Sequence, residues 1–261
     1  MSTKISALYY YPVKSLGGIQ ANSLEIDDFG FKNDRRFMLV DDNNKFVSQR
    51  TMPVLNLLQS SLISDVLSIF GDDFGQIDLE LDAFGSSQKV MVWSDEVDAD
   101  LLSSTHTRAL SEYLGQSVRL AYIPQDSFRQ VDREFFAHDQ RVSFADGYPF
   151  LLTNESSLTD LNNRLAEPVT MARFRPNIVV SGTSAFEEDK WVDFELGGIN
   201  FKAVKPCSRC VMTTVENGVR SKEPLRELSK YRRNDFGICF GQNLVHLGKG
   251  KLSTGDKLRL L

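Results

Sequence analysis

The apolar residues of this chain come in short runs cut by turn residues, and that pattern constrains the fold more than any other feature. Residues 5–11, 36–41, 90–93, 118–123, 177–181 and 200–204 are such runs, rich in Val, Ile, Leu, Phe and Tyr. Runs this short, with β-branched and aromatic side chains, read as strands. Asp42, Asn43 and Asn44 suit a hairpin turn between the 36–41 run and a further strand at 45–48. Helical periodicity is confined to three stretches. Residues 103–114 read as a helix capped by Ser103 or Ser104 and stopped by Gly115. Residues 155–165 place Leu158, Leu161 and Leu165 on one face, and Pro168 ends the pattern. A third helix opens at Pro224 and carries Leu225, Leu228 and Tyr231. The tail, 243–261, reads as two strands around residues 248–250. Many strands with three short helices predict a mostly β, α+β protein of barrel-like domains with the helices packed outside. A boundary near Tyr122 divides it into residues 1–122 and 123–261.

The 261 residues carry a net charge of −5. A chain with that balance is no general polyanion binder, so nucleic acid is not an expected partner. No apolar run approaches the roughly 20 residues of a membrane span. The N-terminus lacks the basic-then-apolar build of a signal peptide, and there are three cysteines. A disulfide framework is therefore not expected, and a reducing cytoplasmic setting is.

Two of those cysteines, Cys207 and Cys210, form a Cys-x-x-Cys. Five readings are open: half a zinc site, a redox couple, a nucleophile, a soft-metal ligand, or two buried thiols. Zinc needs further ligands at set spacings, and Cys239, His106, His138 and His246 form no second pair. A thioredoxin-type couple opens a helix, whereas the residues after Cys210, VMTTV, are β-formers. Burial is the ordinary fate of a free cysteine. Against it stands the charge: residues 201–233 hold nine Lys or Arg and three Glu. Cations favour thiolate, which is both nucleophile and metal ligand. Further cations stand at strand ends, at Lys14, at Arg35 and Arg36, at Arg50 and at Arg175, where arginine forks and backbone N–H groups suit an oxyanion. No GxGxxG follows a strand and no GxxxxGK[ST] occurs, so these loops are not nucleotide fingerprints.

The ordered set YYPVKSLGG, NDRRFMLVD, FADGYPFLLTNESSLTDLN, RFRPNIVVSG, PCSRCVMTTV and FGQN resembles the MOSC-domain proteins that carry an N-terminal β-barrel domain, a group that includes amidoxime-reducing components. The likeness spans nearly the whole chain. It implies a β-barrel MOSC domain beside a barrel-like N-terminal domain, and a bound molybdenum cofactor. It implies that the cysteine of Ser208-Arg209-Cys210, not Cys207, ligates the metal, leaving Cys207 and Cys239 to packing. It further implies cofactor contacts from Lys14, Ser15, Arg35, Asp146, Gly147, Tyr148, Arg175, Asn177, Ser208, Arg209 and Asn243. A soft, redox-active metal suits a thiolate, and one protein sulfur suffices when the cofactor brings its own.

The implied activity is reduction of small N-hydroxylated compounds such as hydroxylaminopurines and amidoximes. Some relatives continue into a plant-type ferredoxin domain, and no such cysteine signature occurs here. The electrons are then expected from a separate ferredoxin-like or flavin reductase partner, for which the basic stretch 220–233 offers a docking charge. A sulfur or cofactor carrier working through Cys210 is the alternative, and a binding module with structural cysteines the third. A description that includes pyridoxal phosphate binding is also compatible with the family.

Overall fold

In the computed structural model, which describes residues 2–261, the chain is mostly strands with three short α-helices, an α+β protein. The largest sheet runs in the order Ile19–Ala21, Lys4–Tyr10, Ile178–Ser181, Phe150–Asn154, Gly237–His246, Ile199–Ser208, Asp193–Leu196, Leu258–Leu260. The expected closed barrel is not formed, because this ladder is an open path. Only an isolated bridge between Lys4 and Lys257, and the Leu258 N–H donating to Thr3 O at 2.9 Å, link the Lys4–Tyr10 strand to the last strand, without a continuous ladder between them. The first strand of the chain thus pairs with residues 178–181, from beyond the boundary expected near Tyr122.

Most of the ladder is antiparallel. The exception is the parallel pair Phe150–Asn154 and Ile178–Ser181, linked through the helix Glu155–Asn162. The Asn154 side chain caps that helix by accepting from the Ser156 N–H at 3.0 Å. One core lies on this sheet, built from Ile5, Leu8, Phe150, Leu152, Phe194, Phe201 and Leu244. Phe150 meets Phe31 edge-on at 4.9 Å and Phe201 at 5.5 Å.

The remaining strands form smaller sheets. Phe37–Val40, Arg119–Tyr122, Asp95–Leu102 and Phe84–Val92 make a four-stranded antiparallel sheet. Gln59–Ile63, Val66–Gly71 and Gly75–Glu80 make a meander beside it. A second core around Phe37, Leu39, Leu55, Leu67 and Leu120 lies here. A third, with Met38, Val40, Val90 and Ala121, takes in Phe144 from the far side of Tyr122.

Three local expectations are corrected. Residues 45–48 make only isolated bridges, Phe46 to Val40 and Lys45 to Met91, not a paired strand. The helix expected over 103–114 is confined to Arg108–Leu114, with Gly115 closing it at φ 63°. Neither Ser103 nor Ser104 caps it; the Ser103 hydroxyl meets His106 Nδ1 at 3.0 Å instead. The helix expected over 155–165 stops at Asn162, where the Asn162 amide ties to both backbone groups of Val169.

Candidate functional site: a cationic cavity with two thiols

Residues flanking several strands of the large sheet meet around one cavity. Lys14 and Ser15 follow Lys4–Tyr10, Asp146 to Tyr148 precede Phe150–Asn154, and Arg175 and Asn177 precede Ile178–Ser181. Cys207 and Ser208 end Ile199–Ser208, and Asn243 lies on its partner strand Gly237–His246. These loops enclose a cavity of about 300 Å³. All twelve expected residues line it: Lys14, Ser15, Arg35, Asp146, Gly147, Tyr148, Arg175, Asn177, Ser208, Arg209, Cys210 and Asn243. Cys207 lines it too, as do Arg50, Trp93, Arg173 and Lys205, which the motif reading left out. Seven Lys or Arg side chains thus share the wall with one carboxylate, in a chain of net charge −5.

The cations are held rather than free. Lys14 Nζ donates to Asp146 Oδ1 at 2.6 Å and to Phe144 O at 2.7 Å. Burial works against the Asp146 charge, but the Lys14 ammonium, with Arg50 and Arg35 further off, outweighs it and holds the carboxyl well below its usual range. The Asp146 side chain is 60% exposed, so its charge stands at the open side of the cavity. Arg35 donates to Asp34 at 2.6 Å, to Asn177 Oδ1 at 3.0 Å and to Arg175 O at 3.1 Å. Asn177 also accepts from the Leu151 N–H at 3.3 Å, so it positions Arg35 and the sheet edge together.

Arg175 differs. Its Nη1 donates to Leu16 O at 2.6 Å, and no carboxylate pairs with it among the described residues. Burial pushes its guanidinium down to about 10, and Arg35 adds to that. Both guanidiniums pack on the Tyr11 ring, with Arg35 at 4.3 Å and Arg175 at 4.2 Å from its centroid. Ser15, Arg35 and Arg175 all have positive φ, at 71°, 49° and 55°. Non-glycine residues in that region carry strain, which concentrates at ligand clamps.

The thiols sit where the strand becomes a turn. Cys210 precedes the 3₁₀ turn Val211–Thr214, which corrects the β reading of VMTTV. Thr213 Oγ1 donates to Cys210 O at 2.9 Å and Thr214 Oγ1 to Val211 O at 2.7 Å, a local bonding that competes with a ladder. Arg209 Nη1 lies 2.9 Å from Cys207 Sγ, and its Nη2 donates to Phe174 O at 2.6 Å. Cys207 therefore meets Arg209 and lines the same cavity as Cys210. Cys239 is buried, and burial pushes its thiol up.

Several polar atoms of the wall are buried without a partner: Ser15 Oγ, Tyr148 Oη, Arg50 Nε and Arg209 Nε. Buried groups of this kind are normally bonded, and four around one cavity point to a polar ligand. At Gly147 an added Cβ would meet nothing within 4 Å, so the backbone there faces open space. The wall is thus a cationic cavity whose donors suit an anionic group, with two thiols on the same wall.

Comparison with known proteins agrees. Residues 139–259 match the MOSC domain and residues 2–117 the MOSC N-terminal beta barrel domain, so the chain belongs to the MOSC-domain family. It is 30% identical over 279 residues to mitochondrial amidoxime-reducing component 1 of Homo sapiens, covering 98% of this chain and 82% of that protein. It is 32% identical to mitochondrial amidoxime reducing component 2 of Rattus norvegicus, covering 97% and 81%. Molybdenum cofactor sulfurase of Oryza sativa subsp. japonica is 27% identical over 91% of this chain and 32% of that protein.

Proposed function

We propose that this chain is a molybdenum-dependent reductase of N-hydroxylated compounds. The observation that carries the reading is the cavity wall, seven cations against one carboxylate with two thiols among them. Its fit to the molybdenum cofactor is chemical. Arg175 and the unpartnered Nε of Arg209 offer donors to a phosphate or pterin, and Ser15 and Gly147 offer a hydroxyl and an open backbone. Cys210 would be the sulfur on the metal, with Ser208 and Asn243 beside it. Bound there, the cofactor supplies a two-electron couple and an oxygen acceptor.

The overall change is R–NHOH plus two electrons and two protons to R–NH₂ and water, with the N–O bond broken. Asp146 is held ionised by Lys14, so at neutral pH it orients that ammonium rather than donating a proton. Tyr148 keeps its hydroxyl proton, because burial pushes its pKa up, and the unpartnered Oη is a neutral donor on the cavity wall. The buried lysine of the cavity, Lys14, is committed to Asp146 and offers no free amine to pyridoxal phosphate. The division at residue 122 into two domains, and cytoplasmic residence, belong to the same proposal.

The electron donor is a separate protein, of ferredoxin-like or flavin reductase type. Its docking cannot rest on the whole 220–233 stretch. Arg226 pairs with Glu223 at 2.6 Å, Lys230 with Glu227 at 2.5 Å and Arg232 with Asp189 at 2.5 Å. Lys222 and Arg233 have no ion pair among the described residues and stay exposed. The test is N-reduction of benzamidoxime by molybdenum-loaded protein. Turnover is expected with a reductase partner or reduced viologen, and not with NAD(P)H alone. Full molybdenum loading without turnover on any donor would favour the carrier reading, which the two cavity-facing thiols also suit.

A further inference from the structure

Trp93 sits at the tip of the hairpin joining Phe84–Val92 to Asp95–Leu102, where Val92 pairs with Asp95 and two residues make the turn. Its φ is 58°. A two-residue turn with positive φ at its first position takes glycine most readily, so an indole there is costly in local geometry. The turn nonetheless delivers that indole to the cavity wall, with 39% of the residue exposed. Lys14 and Arg35, at 7% and 12% side-chain exposure, lie deeper in the same wall, which puts Trp93 at the mouth.

The indole is braced. The Phe46 ring meets it edge-on at 4.6 Å, and the Arg50 guanidinium carbon lies 4.1 Å from its centroid. Arg50 is itself fixed from two sides, by Asp146 at 3.7 Å and by a hydrogen bond from Arg220 to its backbone oxygen. Arg50 packs against this plate, Lys14 Nζ stands further off at 6.0 Å from its centroid, and the part of the indole left exposed is a stacking surface for a flat ring. A compact aliphatic group has no π face to match it.

We propose that Trp93, braced by Phe46 and Arg50, is the stacking platform for the planar part of the substrate. It sets a preference for aryl and heteroaryl N-hydroxylated compounds over compact aliphatic ones. The inference rests on the reductase reading and assigns the substrate side of that cavity.

The experiment compares 6-hydroxylaminopurine with acetamidoxime on molybdenum-loaded protein, using one electron donor throughout. The readout is the ratio of the two kcat/KM values. Trp93→Ala and Trp93→Gly should lower the ratio about tenfold, within the range measured for base–aromatic stacking, mainly through KM of the purine. Trp93→Phe should keep most of it. Glycine suits the turn, so Trp93→Gly should hold its Tm while the ratio falls, a pairing that a packing role does not produce. Adenine binding, followed by calorimetry on the holoprotein, should weaken in parallel without any turnover. An unchanged ratio in Trp93→Ala overturns the platform, as does a loss of pterin with the ratio intact. Wild-type protein that reduces neither compound, yet binds adenine through Trp93, sinks the reductase reading and leaves the platform standing.

Discussion

Arg175 holds its charge in a cavity wall with one backbone acceptor and no carboxylate pair among the described residues. A buried cation in that state is costly alone and favourable with an anion. Arg175→Ala should therefore lower pterin content several-fold in purified protein, since a charge-assisted hydrogen bond is worth about 1.5–3 kcal/mol. Full pterin with a lowered Tm would make Arg175 a structural residue instead. Glu188 is the opposite case, a carboxyl buried away from the cavity. It accepts from Ser157 Oγ at 2.7 Å and Asn154 Nδ2 at 3.0 Å, and no cation pairs with it among the described residues. Burial raises its pKa more than those bonds lower it. With the folded value above the unfolded one, its contribution is full below the unfolded value and is lost as pH rises through the folded one. Glu188→Gln should flatten the decline in stability from about pH 4.5 upward. Denaturant midpoints at several pH values test this, and a steeper decline in the variant would refute it.

At the scale of elements, the strand Gly237–His246 organises the site, pairing with Phe150–Asn154 on one side and Ile199–Ser208 on the other. Gly241 lies in it at φ 80°, and an added Cβ would stand 2.5 Å from Leu152 O. Gly241→Ala must push Gly237–His246 away from Phe150–Asn154, at a cost of about 1–3 kcal/mol. A shifted denaturant midpoint is the check, and an unchanged one would mean the strands yield freely. Elements of this kind differ in how far they can be read from residues alone. Residues 178–181 are an apolar, β-branched run buried at Ile178, Val179 and Val180, residues 119–122 bury Leu120 and Ala121, and both strands stand within a residue of expectation. Residues 45–48 also hold strand formers, Phe46 and Val47, but meet only isolated partners, because pairing depends on what lies across, not on the run. The pairing of Lys4–Tyr10 with Ile178–Ser181 spans some 170 residues, and no local pattern encodes it. At the site, residues inside motifs were legible. Three were not: Arg173, although it opens the RFRPNIVVSG stretch, and Lys205, two residues before Cys207, carry nothing that sets them apart from solvated cations, and Trp93 reaches the cavity only through a distant hairpin, with a tryptophan beside a turn as the one available signal.

Across the whole molecule, neither half makes the cavity. Lys14, Ser15, Arg35, Arg50 and Trp93 come from the region matching the N-terminal domain, and Asp146, Arg175 and Cys210 from the MOSC match. Lys14 to Asp146 at 2.6 Å and Arg35 to Asn177 at 3.0 Å stitch the two together. The cations of the cavity thus depend on both halves, and the thiol on one. The proposed function requires this shared wall to hold an anionic metal–pterin group through a single protein sulfur, Cys210. The direct measurement is molybdenum and pterin per chain in wild type, Cys210→Ser and Cys207→Ser, each purified from a cofactor-competent host. Near-stoichiometric molybdenum is expected in wild type and in Cys207→Ser. In Cys210→Ser the metal should be largely lost, because a hydroxyl is a harder and far less acidic ligand than a thiol. Equal loss in both variants, or full molybdenum in Cys210→Ser, would contradict the single-sulfur account.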